Sequence, residues 1–264
     1  MYDFAYQKPT TVADAVKALG ADPEAKALAG GQTFIPVLKQ RLNKPTMIVD
    51  LSKLGLSGIT VTATTVTIAG MTTHWDVSHS EAAKKAIPGL VDLAAQIGDN
   101  QVRHRGTIGG SLANNDPSAC YTAAVLALGA TIKTDRRSIE ADDFFQGMFT
   151  TALEPDELIT AVEFPIPEKA HYMKFRNPAS RYAMVGVFVA RGPKGVRVAI
   201  TGAGQGGVFR QTEMEAALTA NWSPDAVANI KTPSDDLNSD IHAGAEYRAH
   251  LITVMAKRAV AAAG

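Results

Sequence analysis

The stretch Arg103-His104-Arg105-Gly106-Thr107-Ile108-Gly109-Gly110-Ser111-Leu112-Ala113-Asn114-Asn115-Asp116-Pro117 decides how this chain is read. Before it stands an amphipathic helix, PGLVDLAAQIG at 88–98, with Pro88 at its start and Gly98 at its end. After it comes an apolar helix, SACYTAAVLAL. The stretch between reads as a loop. Thr107, Gly109, Gly110 and Ser111 are small or hydroxyl-bearing, and a run of free N–H groups there would form a nest for a diphosphate. Asn114, Asn115 and Asp116 add polar groups suited to ribose hydroxyls. Arg103, His104 and Arg105 can add charge, although basic loop residues are more often simply solvated.

Working outward, a second glycine turn lies upstream: Leu28-Ala29-Gly30-Gly31-Gln32-Thr33-Phe34-Ile35. It follows the short apolar run AKALA and opens a helix, TFIPVLKQRL, in which Pro36 is tolerable only in the first turn. Paired glycines let a backbone turn sharply and approach a ligand closely. Thr33 and the N–H groups that open the helix can receive an anion. Alone, such a turn is more often structural than phosphate-binding. Two of them, each beside an apolar element, favour a large dinucleotide held from both sides. Neither is the G-x-G-x-x-G of a doubly wound nucleotide fold or the G-x-x-x-x-G-K-[ST] of a triphosphatase.

The rest of the chain supplies context. A Thr11-capped helix (Val12, Ala15, Val16 and Leu19 on one face, Gly20 at its stop) precedes the first turn, and the strand MIVDL at 47–51 follows it. GITVTATTVTIAG alternates as a hairpin, and ATIKT and LITAVEFPI read as strands. Past Pro165-Ile166-Pro167 come strands near 184–190 and 195–201. Polar helices follow, and then a long closing helix with Leu251, Val254, Met255, Arg258 and Ala259 along one side. Strands and helices mix without strict alternation, which argues α+β.

Composition narrows the function. The 264 residues suit one large or two modest domains, and 46% hydrophobic with 20% charged residues is ordinary globular usage. Lys plus Arg equals Asp plus Glu at 26 each, so no general field gathers nucleic acid or anionic membrane. The single cysteine, Cys120, excludes an internal disulfide and a four-thiolate cluster, and reads as a small buried hydrophobe. The six histidines lack metal-ligand spacing, and Asp235-Asp236 with Asp240 lacks an EF-hand loop, so no metal is expected. Trp75 and Trp222 read as isolated. No signal peptide and no apolar run of membrane-spanning length is recognised, and a cytoplasmic location is expected.

These two turns, in this order, resemble those of the FAD-binding medium subunits of the molybdenum hydroxylases. That family includes aerobic carbon monoxide dehydrogenase and the flavin domain of xanthine dehydrogenase. Ala-Gly-Gly-Gln-Thr at 29–33 is similar to its first flavin loop. Gln-Val-Arg at 101–103 with Gly-Thr-Ile-Gly-Gly-Ser-Leu-Ala-Asn at 106–114 is similar to its second, the longer and more specific motif. Tyr2-Asp3-Phe4, Met47–Leu51, Asp156–Ile159 running to Pro167, Lys174-Phe175-Arg176, Ser180–Ala183, and Ala245–Arg248 with Lys257–Ala259 extend the likeness over nearly the whole chain.

The resemblance implies an FAD-binding fold of the vanillyl-alcohol oxidase/PCMH type. Its FAD-binding domain would span 1–168, as α/β subdomains of about 1–55 and 56–168, followed by an α+β C-terminal domain at 169–264 with an antiparallel sheet. Residues 28–35 and 107–111 would hold the diphosphate and ribityl chain, and Ile108 would lie near the isoalloxazine. Ile97 and Ile159 would line the adenine end, Lys174 would sit at the flavin's polar edge, and Tyr182 would cover a face. Arg103, Asn115 and Asp116 complete the expected contacts. The family often carries a carboxylate at the Cys120 position and an acidic residue at the Arg181 position, and this chain departs at both.

The implied function is electron transfer, with no catalytic side chain in this subunit. A large molybdopterin subunit would hydroxylate the substrate. A small [2Fe–2S] subunit would pass electrons to this FAD and on to an external acceptor, within a dimer of heterotrimers. Two other readings stand beside it: a self-sufficient flavin oxidase or reductase, and a non-catalytic scaffold.

Overall fold

In the computed structural model, which describes residues 1–264, four sheets divide the strands. The first is parallel and built from β1 (Ala5–Gln7), β2 (Lys26–Leu28) and β3 (Met47–Asp50) in the order β1-β3-β2. Parallel neighbours need crossovers. Helix α1 (Val12–Gly20) supplies one, and α2 (Phe34–Lys39) the other. The Thr11 hydroxyl caps α1 by accepting from the Asp14 N–H at 3.1 Å. Ala15, Ala18 and Leu19 then bury against Met47 and Val49. Two sequence readings shift here. Gly20 is the last residue of α1 rather than its stop, and α2 ends at Lys39, because Arg41 turns left-handed at φ 59°.

The second unit is a five-stranded antiparallel sheet in which the strand at 159–165 lies at the centre. Its strands are β4 (Ile59–Val61), β5 (Thr65–Ala69), β6 (Thr131–Thr134), β7 (Ser138–Glu140) and β10 (Ile159–Pro165). The hairpin reading holds, with Ile59 opposite Ile68 and Val61 opposite Val66. Between β5 and β6 run α3 (His74–Ser78), α4 (Glu81–Ala86), α5 (Pro88–Ala95), α6 (Asn100–Arg105), α7 (Ile108–Asn114) and α8 (Cys120–Leu128). So the stretch around 103–117, read as a loop, is largely two short helices joined at Gly106-Thr107. Asp99 caps α6 and Thr107 caps α7, and these caps offset the weak helix propensity of Gly109-Gly110. Helix α9 (Ala141–Phe144) and the small hairpin β8 (Phe145–Gly147) with β9 (Thr150–Thr151) complete the unit.

The third unit is an antiparallel meander of β11 (Lys169–Arg176), β12 (Ala183–Gly192), β13 (Gly195–Thr201) and β14 (Phe209–Arg210), with α10 (Thr212–Ala220) and α11 (Ala245–Ala263). Strand β12 has eight consecutive buried residues because both faces are covered. Val185, Val187 and Val189 face α11 residues Leu251, Ile252, Met255 and Ala259. Phe188 and Ala190 belong instead to the central core around α8, all nine of whose residues are buried. On α11, Leu251, Met255 and Ala259 are buried as read, whereas Arg258 faces solvent and Val254 is half-buried.

Candidate functional site

The two glycine segments meet back to back. A Cβ on Gly30 would stand 2.7 Å from the Gly106 Cα, and closer still to the Arg105 carbonyl oxygen. A Cβ on Gly110 would stand 3.3 Å from the Ala29 methyl. Gly109 presses on the Gly70 backbone, where a Cβ would come within 2.6 Å of the carbonyl oxygen. These glycines are small because backbone packs on backbone.

Following each N–H separates the two segments. In the first, the amides of Gly30, Gly31, Gln32, Thr33 and Phe34 find no acceptor in the chain. The turn is closed by Ile35 N–H donating to the Gly31 carbonyl at 3.0 Å, and Gly31 takes φ +72°. The Gln32 amide folds back to the Gly30 carbonyl at 3.2 Å, and the Thr33 hydroxyl makes no capping bond. Gln32 and Thr33 are exposed, while Leu28, Phe34 and Ile35 are half-buried. Five consecutive unpaired donors at a helix start form a concentrated anion-binding surface.

The second segment differs from its sequence reading. Ile108 N–H donates to the Thr72 carbonyl at 3.1 Å and Gly109 N–H to the Gly70 carbonyl at 2.8 Å. Gly110 N–H donates to the Thr107 hydroxyl at 3.1 Å and Ser111 N–H to the Thr107 carbonyl at 3.0 Å. The expected nest of free amides is therefore absent here, because tertiary partners and the helical cap consume it. What remains to meet a ligand is the half-buried Gly110 and Ser111.

Several other expected contacts also turn inward. Ile108 has no exposed surface, so its side chain supports the segment from the core and cannot itself meet a flavin ring. Ile159 is buried on β10, whereas Ile97 is half-buried. Asn115 is 1% exposed and caps α7 in the left-handed conformation at φ 42°. Its amide donates to the carbonyls of Gly147 at 2.8 Å and Thr150 at 2.9 Å, which ties down the β8–β9 turn and removes it as a ribose partner. Arg103 donates to the Ile97 carbonyl at 2.9 Å and to the Asn100 side chain, so its charge is spent on the α5–α6 turn. Asp116 accepts from the Ser118 N–H at 2.8 Å and keeps its second oxygen free.

The C-terminal sheet reaches this region. Tyr182 is 60% exposed, and partial burial together with nearby Asp116 raises its phenol above the usual range. Lys174 donates to the Gln96 carbonyl at 3.0 Å and to the Cys120 sulfur at 3.4 Å. Arg181, at the departure position, is exposed and left-handed at φ 62°.

Sequence reasoning missed a histidine cluster behind the junction. His74 is buried beneath Gly106, with its imidazole held down to about 4 by burial and then by the Arg103 charge. It is therefore neutral, and its Nδ1 has no partner. Trp75, read as isolated, is stacked between His79 at 3.7 Å and His104 at 4.0 Å. The only sequence sign was the Trp75–His79 spacing of one helical turn. No group of three or more His, Cys, Asp or Glu side chains is placed to hold a metal ion. No helix is long and apolar enough to cross a membrane.

Comparison with known proteins identifies the family and the fold. A family model described as FAD binding domain in molybdopterin dehydrogenase covers residues 2–167, and the chain belongs to that family. It is an FAD-binding oxidoreductase subunit of the molybdenum hydroxylase type. It is 33% identical to the nicotine 6-hydroxylase medium subunit of Paenarthrobacter nicotinovorans, over 98% of this chain and 96% of that one. It is 34% identical to the carbon monoxide dehydrogenase medium chain of Afipia carboxidovorans, over 97% of this chain and 95% of that one. Among solved structures, reconstituted CO dehydrogenase from Oligotropha carboxidovorans superimposes with a TM-score of 0.90 at 32% identity, covering 99% of this chain and 98% of the other.

Proposed function

We propose that this chain is the electron-transfer subunit of a molybdenum-containing hydroxylase or dehydrogenase. The carrying observation is the run of five unpaired amides from Gly30 to Phe34, set against the packed Gly106–Ser111 segment. It fits the two negative charges of a diphosphate. Leu28–Ile35 would bind it, Gly110 and Ser111 would bound it, and Ile97 with Asp116 would meet the adenosine part. Lys174 and Tyr182 would approach from the C-terminal sheet. When bound, FAD supplies the redox chemistry, accepting electrons from iron–sulfur clusters and releasing them to an external acceptor. This chain's own residues bind and orient the cofactor, and none is asked to act as a general base.

The relatives named as medium subunits or chains support a large and a small partner subunit. In the proposal the large one carries molybdopterin, the small one carries iron–sulfur clusters, and the complex is a dimer of heterotrimers in the cytoplasm. The division into 1–168 and 169–264 belongs to the same proposal. The central core packs Phe188 and Ala190 of the second part against α8 of the first. The test is the visible spectrum of the purified chain, before and after heat release of ligand. Released FAD, and co-purification with two partner subunits, is the expected result. A flat spectrum that added FAD does not change would overturn the reading, as would full turnover of an organic substrate by the chain alone.

A further inference from the structure

Lys174 is a cation without a carboxylate. Its ammonium group has two partners, the Gln96 carbonyl oxygen at 3.0 Å and the Cys120 sulfur at 3.4 Å. Cys120 is the chain's single cysteine and is 5% exposed. It opens α8, whose N-terminus carries partial positive charge. The Tyr172 hydroxyl is wholly buried beside the same sulfur and has no hydrogen-bond partner. Burial, with the adjoining sulfur, pushes that phenol up. A cysteine sealed in apolar surroundings is inert, whereas one facing a cation reacts as a nucleophile.

We infer that Cys120 and Lys174 form a reversible sulfur–nitrogen cross-link when a hydroperoxide oxidises the thiol. The step balances. The sulfur attacks the terminal peroxide oxygen and the O–O bond breaks, giving a sulfenic acid and water or an alcohol. The Lys174 ammonium releases a proton to solvent, the resulting amine attacks the sulfur, the S–N bond forms and the S–O bond breaks. The hydroxyl leaves with one amine proton as water. Two electrons pass from the cysteine–lysine pair to the peroxide. Two external thiols reverse the linkage. The first frees the amine and leaves a mixed disulfide, and the second restores Cys120.

The geometry favours condensation over further oxidation. The amine is already in contact with the sulfur, so the second step is intramolecular. Sulfinic acid formation needs a second peroxide molecule, whereas the amine already stands 3.4 Å from the sulfur. The bond would join β11 of the C-terminal sheet to the start of α8, at the end of the segment that carries Asp116.

Mass spectrometry of the whole chain, titrated with hydrogen peroxide, tests this. Wild type is expected to yield a species lighter by two hydrogens, with the Cys120 and Lys174 peptides joined, and to return to its starting mass with dithiothreitol. Lys174→Arg keeps the cation but offers no comparable nucleophile. It should form the linked species at least tenfold less and instead accumulate a sulfenic acid that dimedone traps. Lys174→Gln, checked for wild-type melting, serves the same purpose should the arginine distort the strand. Wild type that only gains oxygen, or stays unmodified in excess peroxide, overturns the inference. So does equal dimedone labelling of wild type and both variants.

Discussion

Replacing Gly30 by alanine tests the junction most directly. Gly30 does not use a left-handed backbone, so alanine adds only one methyl group and no conformational strain. That methyl would stand 2.7 Å from the Gly106 Cα and nearer still to the Arg105 carbonyl oxygen. Carbon pairs pack at about 3.5 Å or more, so the two segments must part by roughly 1 Å. Both obstacles are backbone, and neither can rotate aside. Overpacking of this kind costs about 1–3 kcal/mol. If the junction sets the diphosphate site, affinity for FAD falls between about fivefold and about 150-fold. The melting temperature falls by roughly 2–12 °C in the same variant. Fluorescence titration with FAD and a thermal melt read the two effects separately. Gly206→Ala, which meets nothing within 4 Å, should change neither. A Gly30→Ala chain that binds FAD and melts like wild type refutes the packed junction. One that melts lower yet binds normally refutes its role in the site.

Asn115→Ala removes two buried hydrogen bonds to the β8–β9 turn and should cost about 2–3 kcal/mol, read by urea unfolding. His74 is neutral when folded and titrates near 6.5 when unfolded, so acid between about pH 6.5 and 4 protonates the unfolded chain first. Stability should fall across that window by up to about 1.4 kcal/mol per pH unit, a slope that His74→Gln abolishes while chemical denaturation is followed against pH. Glu157 is held at about 2 by Arg137, so its contribution is complete above about pH 4.5 and fades as pH falls toward 2. Wild type and Glu157→Gln should therefore converge in stability over that lower window, and a constant difference would contradict the pairing.

Much of the fold is legible in alternation and caps. The β4–β5 hairpin and the Thr11 cap follow from residue types whose partners lie nearby in sequence, and β10 from its apolar alternation. Strand β11 was not recognised, because KAHYMKFR interleaves charges with apolar residues along a half-buried face. The α6–α7 pair escaped recognition for a different reason. Gly109-Gly110 and Asn114 are poor helix formers, and what holds α7 in place is tertiary: Gly109 seated on Gly70, and the capping Asn115 clamped to a turn more than thirty residues away. Hydrogen-bond occupancy is likewise invisible in sequence. Both glycine motifs promise free amides, and only the folded chain shows which are spent.

That distinction reassigns the two motifs. The longer motif, 106–114, is the more recognisable, yet its amides from Ile108 to Ser111 are all engaged within the chain. Its glycines are required by closeness: Gly106 over His74, Gly109 against Gly70, and Gly110 toward Ala29. The shorter motif, 29–33, holds the unspent donors, and it can leave them unspent because the longer motif braces it from behind. A loop of five unpaired amides would ordinarily relax to satisfy some of them. Here Gly30 is pinned against Arg105 and Gly106, and the Gly31–Ile35 bond sets the turn, so the donors stay without a partner in the chain. The specificity of the longer motif therefore reports the packing that holds the shorter one open, and a substitution in either should weaken the same binding step.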